Sequence, residues 1–314
     1  DAARATCQAA AALFGCAVEE VFPSSTGIIG VPLPAEKLVA AMPALAANLG
    51  PDSLSFLALA QAIMTTDTVE KTAFARVHLG AEEVRIAGVA KGAGMIHPQL
   101  VPHATMLVYL LTDAAIEPEV LQGYLNQAIE LSFNRISVDG DTSTNDTVLL
   151  LASGAGPAVA AGNPEFAEAL QHVCTSLARQ IVGDGEGIGH VVELRIEGAA
   201  SDADALRVAK AIAHSPLVKT AWAGADPNWG RLAAAIGYSG AQIDPERIDI
   251  RFGTLAVCRN GGRDPDFDER AAHAYIAQPE FSISIDLHQG VGQCVFWTTD
   301  LTTEYVHINA DYST

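Results

Sequence analysis

Apolar and polar residues alternate along several short stretches of the chain, which is the pattern of a β-strand with one buried face. In residues 281–287, Phe, Ile, Ile and Leu alternate with Ser, Ser and Asp, and residues 192–196 and 248–252 repeat the alternation. Residues 106–111 are continuously apolar, as in a fully buried strand. We therefore predict strands over these four stretches, and a last strand over residues 304–308.

Residues that are typical of helix starts and helix ends lie between these predicted strands. Residues 2–14 are rich in Ala and end at Gly15, a residue that tolerates the left-handed turn after a helix. Proline or N-cap residues indicate further helix starts at Pro34, Ser53, Asn163 with Pro164, and Ser201 with Asp204. Because half-buried strands need a cover and amphipathic helices provide one, we predict layered α/β sheets. No linker, repeat or low-complexity run marks a domain boundary.

The composition narrows the classes of function. Hydrophobic residues make up 49% of the 314 residues and charged residues 18%, which is the balance of a folded chain with a sizeable core. Lys and Arg number 18 against 37 Asp and Glu, and the net charge of −19 repels phosphate backbones and anionic lipid surfaces. We therefore expect neither a nucleic-acid partner nor a membrane partner.

Cysteine usage favours a cytoplasmic protein. The cysteines are odd in number, widely spaced and without a CxxC pair, so we predict buried free thiols at Cys7, Cys16, Cys174, Cys258 and Cys294. No apolar run reaches the length of a membrane span, and residues 1–16 carry charged groups where a signal peptide has its apolar core.

A hydroxyl-rich turn, residues 23–30, follows a predicted strand and reads Pro-Ser-Ser-Thr-Gly-Ile-Ile-Gly. Gly27 lets the backbone turn so that successive N–H groups point at one place, which is how an oxyanion hole is built. An ordinary Ser/Gly turn explains the same residues and, without further context, is the favoured interpretation.

A second stretch runs from Lys91 through two glycines to Ala104 and Thr105. Self-cleavage needs a sterically open carbonyl, which Ala104 offers, and a hydroxyl on the next residue, which Thr105 supplies. The product has an N-terminal Thr whose own α-amine can act as base. A glycine loop that enters a buried strand is at least as good an interpretation of the spacing. His97 and His103 have no carboxylate or Cys at ligand spacing, so no metal or other cofactor is predicted.

Turns rich in acidic residues are the third kind of candidate for a functional site. Residues 139–147 hold three Asp among hydroxyl and amide residues, but their spacing is not that of a calcium loop. Residues 184–187 and 225–231 are similar turns. A surface turn is the default interpretation of each.

Together these segments resemble, in order and along the whole chain, the ornithine acetyltransferase (glutamate N-acetyltransferase) family of cyclic arginine biosynthesis. The matching segments are residues 25–30, 64–68, 91–95, 104–107, 141–147, 184–187, 226–230 and 305–312. The resemblance implies an α/β fold, specifically a four-layer α/β/β/α sandwich, and autocatalytic cleavage between Ala104 and Thr105. Residues 1–104 and 105–314 would then stay together as one catalytic unit. The resemblance begins at Asp1, after the family's N-terminal segment, and residues 101–103 lengthen the loop before the cleavage site.

The resemblance also implies roles for individual residues. Thr105 would be the nucleophile, and the backbone N–H groups at Thr26 and Gly27 would stabilise the oxyanion. Substrate would bind at Thr68, Lys91, Thr105, Glu186, Asn309 and Thr314.

The implied reaction is a ping-pong acetyl transfer, in which Thr105 takes acetyl from N-acetylornithine and passes it to glutamate. Acetyl-CoA is a further donor in some members of the family, and no CoA-binding signature decides its use here. A homo-oligomer is expected. Two alternatives stay open, an N-terminal nucleophile aminopeptidase and an uncleaved, non-catalytic homologue.

Overall fold

The computed structural model describes residues 1–94, 96–98 and 106–311 of the chain. Helices in this part of the chain are α1 (Ala2–Phe14), α2 (Ala35–Ala47), α3 (Ser53–Ala62), α4 (Pro118–Glu130), α5 (Pro164–Gly183), α6 (Asp202–Ala213), α7 (Pro216–Ala223), α8 (Trp229–Gly237), α9 (Glu269–Ile276) and α10 (Thr303–Asp311). Strands are β1 (Lys71–Leu79), β2 (Glu82–Lys91), β3 (Leu107–Thr112), β4 (Thr147–Ala152), β5 (Val191–Ala199), β6 (Asp249–Phe252), β7 (Leu255–Arg259), β8 (Gly262–Arg263), β9 (Glu280–Asp286) and β10 (Gly292–Thr299).

The strands form two sheets. The first has the order β1-β2-β3-β4, in which β2 is antiparallel to both β1 and β3, and β3 is parallel to β4. The second has the order β10-β5-β9-β6-β7-β8. The predicted α/β class, with two sheets and covering helices, is confirmed.

Each sheet has its own apolar core. Helix α5 packs on β1 and β2, and its buried stripe of Val173, Leu177 and Ile181 fills the core of the first sheet. The approach is close at Gly88 of β2, where an added Cβ would lie 2.8 Å from side-chain atoms of Leu110 and Leu177. Helices α6 to α9 surround the core of the second sheet. Helix α5 therefore fixes the strand that leads into the candidate site.

Register in the first sheet sets the geometry of the site. Lys91, the last residue of β2, is paired with Leu107 at the start of β3, and Leu107 is paired in turn with Thr147 at the start of β4. The ends of three neighbouring strands therefore meet at one edge of the sheet.

Most predicted elements are confirmed. Helix α1 ends at Gly15, whose φ of 69° is left-handed. The side chains of Asn163 and Ser201 cap α5 and α6 as expected. Strands β3, β5, β6 and β9 occupy the predicted stretches, and β9 alternates buried and half-buried residues along Phe281 to Asp286.

Several predictions were wrong. The N-cap of α3 is Asp52, whose carboxylate accepts from the Ser55 N–H, and not Ser53. The turn at Val18–Glu20 is a short 3-10 helix where a strand was predicted before Pro23. Residues 304–308 are helical because Thr302 accepts from the Tyr305 N–H and starts α10.

The cysteines are free thiols, and all of them are buried except Cys16, which is exposed. Within the described ranges, no helix has both the length and the apolar character that crossing a membrane requires.

Candidate active site

A cavity of about 300 Å³ lies where β2 leaves the first sheet. Its walls come from the 23–30 turn, the loop after α3, the end of β2, the loop before β4, the turn after α5, and α10. The lining residues are Thr26, Gly27, Ile28, Ile29, Thr65, Thr66, Lys91, Gly92, Ala93, Gly94, Thr142, Ser143, Thr144, Asn145, Glu186 and Asn309. Five sequence-predicted site residues, Thr26, Gly27, Lys91, Glu186 and Asn309, are therefore brought together.

Lys91 is the buried cation of this cavity, with only 1% of its surface exposed. Its Nζ donates to Oγ1 of Thr65 over 3.2 Å. Burial lowers the pKa of Lys91, and the carboxylates of Asp67, Asp146 and Glu186 oppose that shift. A cation held in this way can attract the carboxylate of a small substrate and repel a second cation.

A buried ion cluster supports the loop that carries Thr65. Lys71 Nζ lies 2.7 Å from Asp67 and 2.6 Å from Asp184, and Asp67 also accepts from the N–H groups of Thr65 and Gly92. Burial alone would raise the pKa of Asp67, but these hydrogen bonds and Lys71 outweigh it and hold the pKa below its usual value. The cluster thus fixes the loop after α3 against the end of β2.

Thr68 belongs to this supporting cluster and does not line the cavity. Its N–H donates to Asp184 Oδ2 over 2.9 Å and its hydroxyl donates to Oδ1 of the same carboxylate. Thr65 is the threonine of this loop that both lines the cavity and contacts Lys91. The predicted position of the binding threonine and the position that faces the cavity thus differ by three residues.

Glu186 and Asn309 meet in the wall of the cavity. Asn309 Nδ2 donates to Glu186 Oε2 over 3.1 Å. The Glu186 carboxylate packs against Gly94, where an added Cβ would lie 2.5 Å from Oε2 and would displace the carboxylate. Helix α10 is held by a hydrogen bond of 3.0 Å from the Tyr305 hydroxyl to Asp139. The turn after α5 and α10 therefore build one wall together.

The 23–30 turn forms the outer wall. Thr26 is half-buried and Gly27 is exposed, and Ser24 is hydrogen-bonded to the Tyr109 hydroxyl of β3. No acceptor in the described part of the chain is bonded to the N–H of Thr26 or Gly27. No described residue therefore competes with a ligand for these two N–H groups.

Sequence reasoning missed Asp146, which it read as part of a surface turn. Its Oδ1 accepts from the Met106 N–H at the start of β3. Burial raises the pKa of Asp146 to about 7, against the opposing effects of that N–H and of Lys91. Only the pairing of β3 with β4 brings residues 106 and 146 together, and no local motif signals it.

Ala104, Thr105 and Thr314 lie outside the described residues, so their predicted roles stay predictions. Among the residues that the structure does describe, no three His, Cys, Asp or Glu side chains form a metal-binding cluster.

Backbone amides, a buried lysine and a carboxylate–amide pair around one small cavity define a site suited to acyl transfer between amino-acid substrates. The ArgJ family profile matches residues 1–314. The chain belongs to the ArgJ family.

Relatives named arginine biosynthesis bifunctional protein ArgJ are similar over nearly the whole chain. The protein of Ruegeria pomeroyi is 50% identical over 305 residues, which cover 97% of this chain and 74% of that protein. The protein of Geobacter sulfurreducens is 45% identical over 322 residues, with 99% and 79% covered. The crystal structure of ArgJ from Bacillus halodurans superposes with a TM-score of 0.64 at 45% identity, covering 66% of this chain and 100% of the crystallised chain.

Proposed function

We propose that this chain is a multifunctional acyltransferase of amino-acid biosynthesis that moves acetyl from N-acetylornithine to glutamate in the arginine pathway. The observation that carries the proposal is the convergence of Lys91, Glu186, Asn309, Thr26 and Gly27 on one cavity. That cavity lies where the chain enters β3, directly after Thr105 in the sequence.

Thr105 is the nucleophile of this proposal. Its hydroxyl oxygen bonds to the acetyl carbon, the proton passes to a base, and the amine of ornithine leaves with a proton. Glutamate then attacks the acetyl-threonine ester with its α-amine and regenerates the hydroxyl. Two easier acyl transfers replace one difficult amide exchange.

The oxyanion is stabilised by the N–H groups of Thr26 and Gly27. One such donor contributes about 3 kcal/mol of transition-state stabilisation in acyl-transfer enzymes. The position of Thr26 and Gly27 in the wall of the cavity supports this role.

Charged and polar side chains of the cavity divide the recognition of the substrate. Lys91 and Thr65 bind its carboxylate, and Glu186 with Asn309 binds its ammonium group. We therefore assign to Thr65 the contact that the sequence assigned to Thr68, because Thr65 faces the cavity. Thr314 stays a proposed ligand.

Cleavage of the Ala104–Thr105 bond generates the α-amine that acts as base. The fragment that begins at Thr105 would hold 210 of the 314 residues. We place the enzyme in the cytoplasm as a homo-oligomer.

The first test is a denaturing gel with N-terminal sequencing of the purified protein. We expect fragments of 104 and 210 residues, the larger beginning at Thr105. Thr105→Ala should abolish both cleavage and transfer, whereas Thr105→Ser should keep some cleavage because a hydroxyl remains. An intact chain with full transferase activity would contradict the mechanism. Release of free amino acids from peptides without an acceptor would indicate the aminopeptidase instead.

A further inference from the structure

Lys219 of α7 is a buried cation that does not line the cavity and has no role in the scheme above. Only 2% of its surface is exposed. Its Nζ donates to the Val138 carbonyl over 2.9 Å and to the Thr299 hydroxyl over 3.1 Å, and it also donates to the Thr299 carbonyl. The Thr298 hydroxyl lies 3.4 Å from the same nitrogen. The ammonium group therefore joins two segments of the chain that are far apart in sequence.

Both segments lead directly into walls of the cavity. Val138 precedes the loop before β4, residues 139–146, and this loop contributes residues 142–145 to the lining. Thr299 ends β10 and leads into α10, which contributes Asn309. The Thr299 hydroxyl also donates to the Val138 carbonyl over 3.2 Å. The distance between these two walls thus depends on the point where the ammonium group binds.

The same lysine is connected to the turn after α5, which carries Glu186. The Lys219 carbonyl accepts from the Leu301 N–H over 3.3 Å. Asp300, the residue before Leu301, accepts from the Gly189 N–H of that turn over 2.9 Å. Three walls of the cavity therefore share one junction, and a helix that packs in the core of the second sheet holds it.

Stability alone does not favour a lysine at this position. Burial lowers the pKa of Lys219 to about 7, although the carboxylates of Asp300 and Asp139 oppose that shift. Burying an ammonium group costs free energy, and an apolar side chain of similar volume avoids that cost. Helix α7 is already anchored by Val218 and Trp222 in the core of the second sheet. What the lysine adds is the set of hydrogen bonds to the two segments.

We propose that Lys219 is a positioning residue, which holds the loop before β4 and α10 in the arrangement that binds the amino-acid substrates. This inference rests on the proposed function. The hydrogen bonds of the ammonium group fix the distance between residues 142–145 and Asn309, so that a substrate contacts both walls at once. Lys219 itself touches no substrate and exchanges no proton during acetyl transfer.

The test compares wild type with Lys219→Met, Thr299→Val, the double variant and the control Lys210→Met. Met keeps the length of the lysine side chain without its donors, and Val keeps the shape of Thr without its hydroxyl. Lys210 is a half-buried lysine of α6 that does not line the cavity. For each protein we measure the melting temperature, the KM and kcat of acetyl transfer from N-acetylornithine to glutamate, and the Kd of ornithine by calorimetry.

We expect Lys219→Met to raise KM for both substrates about fivefold and to weaken ornithine binding by a similar factor, with kcat within about twofold of wild type. Thr299→Val should raise KM about twofold, because one of several hydrogen bonds is lost. The double variant should resemble Lys219→Met, because both changes act on one hydrogen-bond network. Lys210→Met should match wild type in KM and Kd.

A Lys219→Met protein with a lower melting temperature but unchanged KM and Kd would show a structural role only, and would overturn the inference. A reduced kcat at unchanged KM would overturn it as well. If Lys219→Met does not fold, Thr299→Val decides, since a folded variant with unchanged KM and Kd removes the junction from substrate binding. A wild type that transfers no acetyl contradicts the proposed function, whereas an active wild type beside unchanged variants contradicts this inference alone.

Discussion

Two threonines in the loop after α3 lie three residues apart and contact different groups. Thr65 lines the cavity and contacts Lys91, whereas Thr68 hydrogen-bonds Asp184 in the ion cluster below it. Both residues are exposed over much of their surface. What separates them is the group that each hydroxyl faces, since one faces a space for substrate and the other a buried carboxylate.

This difference predicts opposite phenotypes for two isosteric substitutions. Thr65→Val should raise KM for N-acetylornithine at least fivefold with little change in melting temperature. Thr68→Val removes one hydrogen bond to a carboxylate, so it should lower the free energy of unfolding by about 1 kcal/mol while KM is unchanged. Steady-state kinetics and urea unfolding on the same preparations measure both. An exchange of the two phenotypes would restore Thr68 as the ligand.

For individual residues, the resemblance of the sequence to a known family predicts much of the site. Lys91, Glu186 and Asn309 lie in recognisable segments, and the structure brings them together. Asp146 could not be predicted, because its significance comes from the parallel pairing of β3 and β4 and from burial. Neither property is visible in a run of Asp, Thr and Asn residues.

Among the elements, α10 connects the end of the described chain to the cavity. The Tyr305 hydroxyl binds Asp139, the Thr302 hydroxyl binds the Gly187 carbonyl, and Asn309 reaches Glu186. Tyr305 and Asn309 are four residues apart, so they lie on the same face of the helix. Alternation of Tyr, Val, His and Ile suggested a strand here, but an exposed helix needs no apolar stripe when side-chain hydrogen bonds fix its position.

Loosening α10 should weaken substrate binding without affecting self-cleavage. We expect Asn309→Ala to raise KM for N-acetylornithine and glutamate about tenfold, because it removes an interaction made equally in ground and transition states. Tyr305→Phe should raise KM less, about threefold, because it removes only the hydrogen bond that holds the helix. Tyr238→Phe, at an exposed tyrosine far along the chain, is the control. Reduced kcat at unchanged KM would argue against this role for α10.

The strands of this fold were predictable where one face is buried, as in β5, β6 and β9, since alternation is a local property. The helix α4 was missed although Pro118 begins it. The order of the strands, and the meeting of the ends of β2, β3 and β4, depend on contacts between residues distant in sequence. The periodicity within one segment carries no information about such contacts.

For the molecule as a whole, the contact between the buried His97 and the half-buried His214 makes stability depend on pH. The rings of His97 and His214 meet edge to face at 4.2 Å. Burial, together with nearby Lys210 and, for His214, Lys219, lowers their pKa values to about 3 and about 4. Below the ordinary value of about 6.5, the unfolded chain binds protons that the folded chain does not. The stabilising effect of this pair is thus complete above pH 6.5 and is lost as the pH falls towards 4.

We expect His214→Gln to reduce the loss of stability that occurs as the pH falls. Each buried imidazole costs up to about 1.4 kcal/mol per pH unit below 6.5. Between pH 7.5 and 5.5, the fall in unfolding free energy should therefore be about 1 kcal/mol smaller in His214→Gln than in wild type. Other titrating groups act alike in both proteins and cancel in this difference. Urea unfolding at the two pH values measures it, with His172→Gln at an exposed position as control. Equal slopes would show that His214 titrates freely in the folded protein.

If the Ala104–Thr105 bond is cut as we propose, the pairing of β2 with β3 has a second consequence. Six residue pairs, from Ile86 with Thr112 to Lys91 with Leu107, then join two separate polypeptides through the middle of a sheet. Unfolding releases two molecules, and recovery becomes a second-order reaction whose rate falls on dilution. The uncut chain folds as a single molecule. The precursor thus folds in a unimolecular reaction. After cleavage, the lifetime of the folded enzyme depends on how slowly the two polypeptides dissociate.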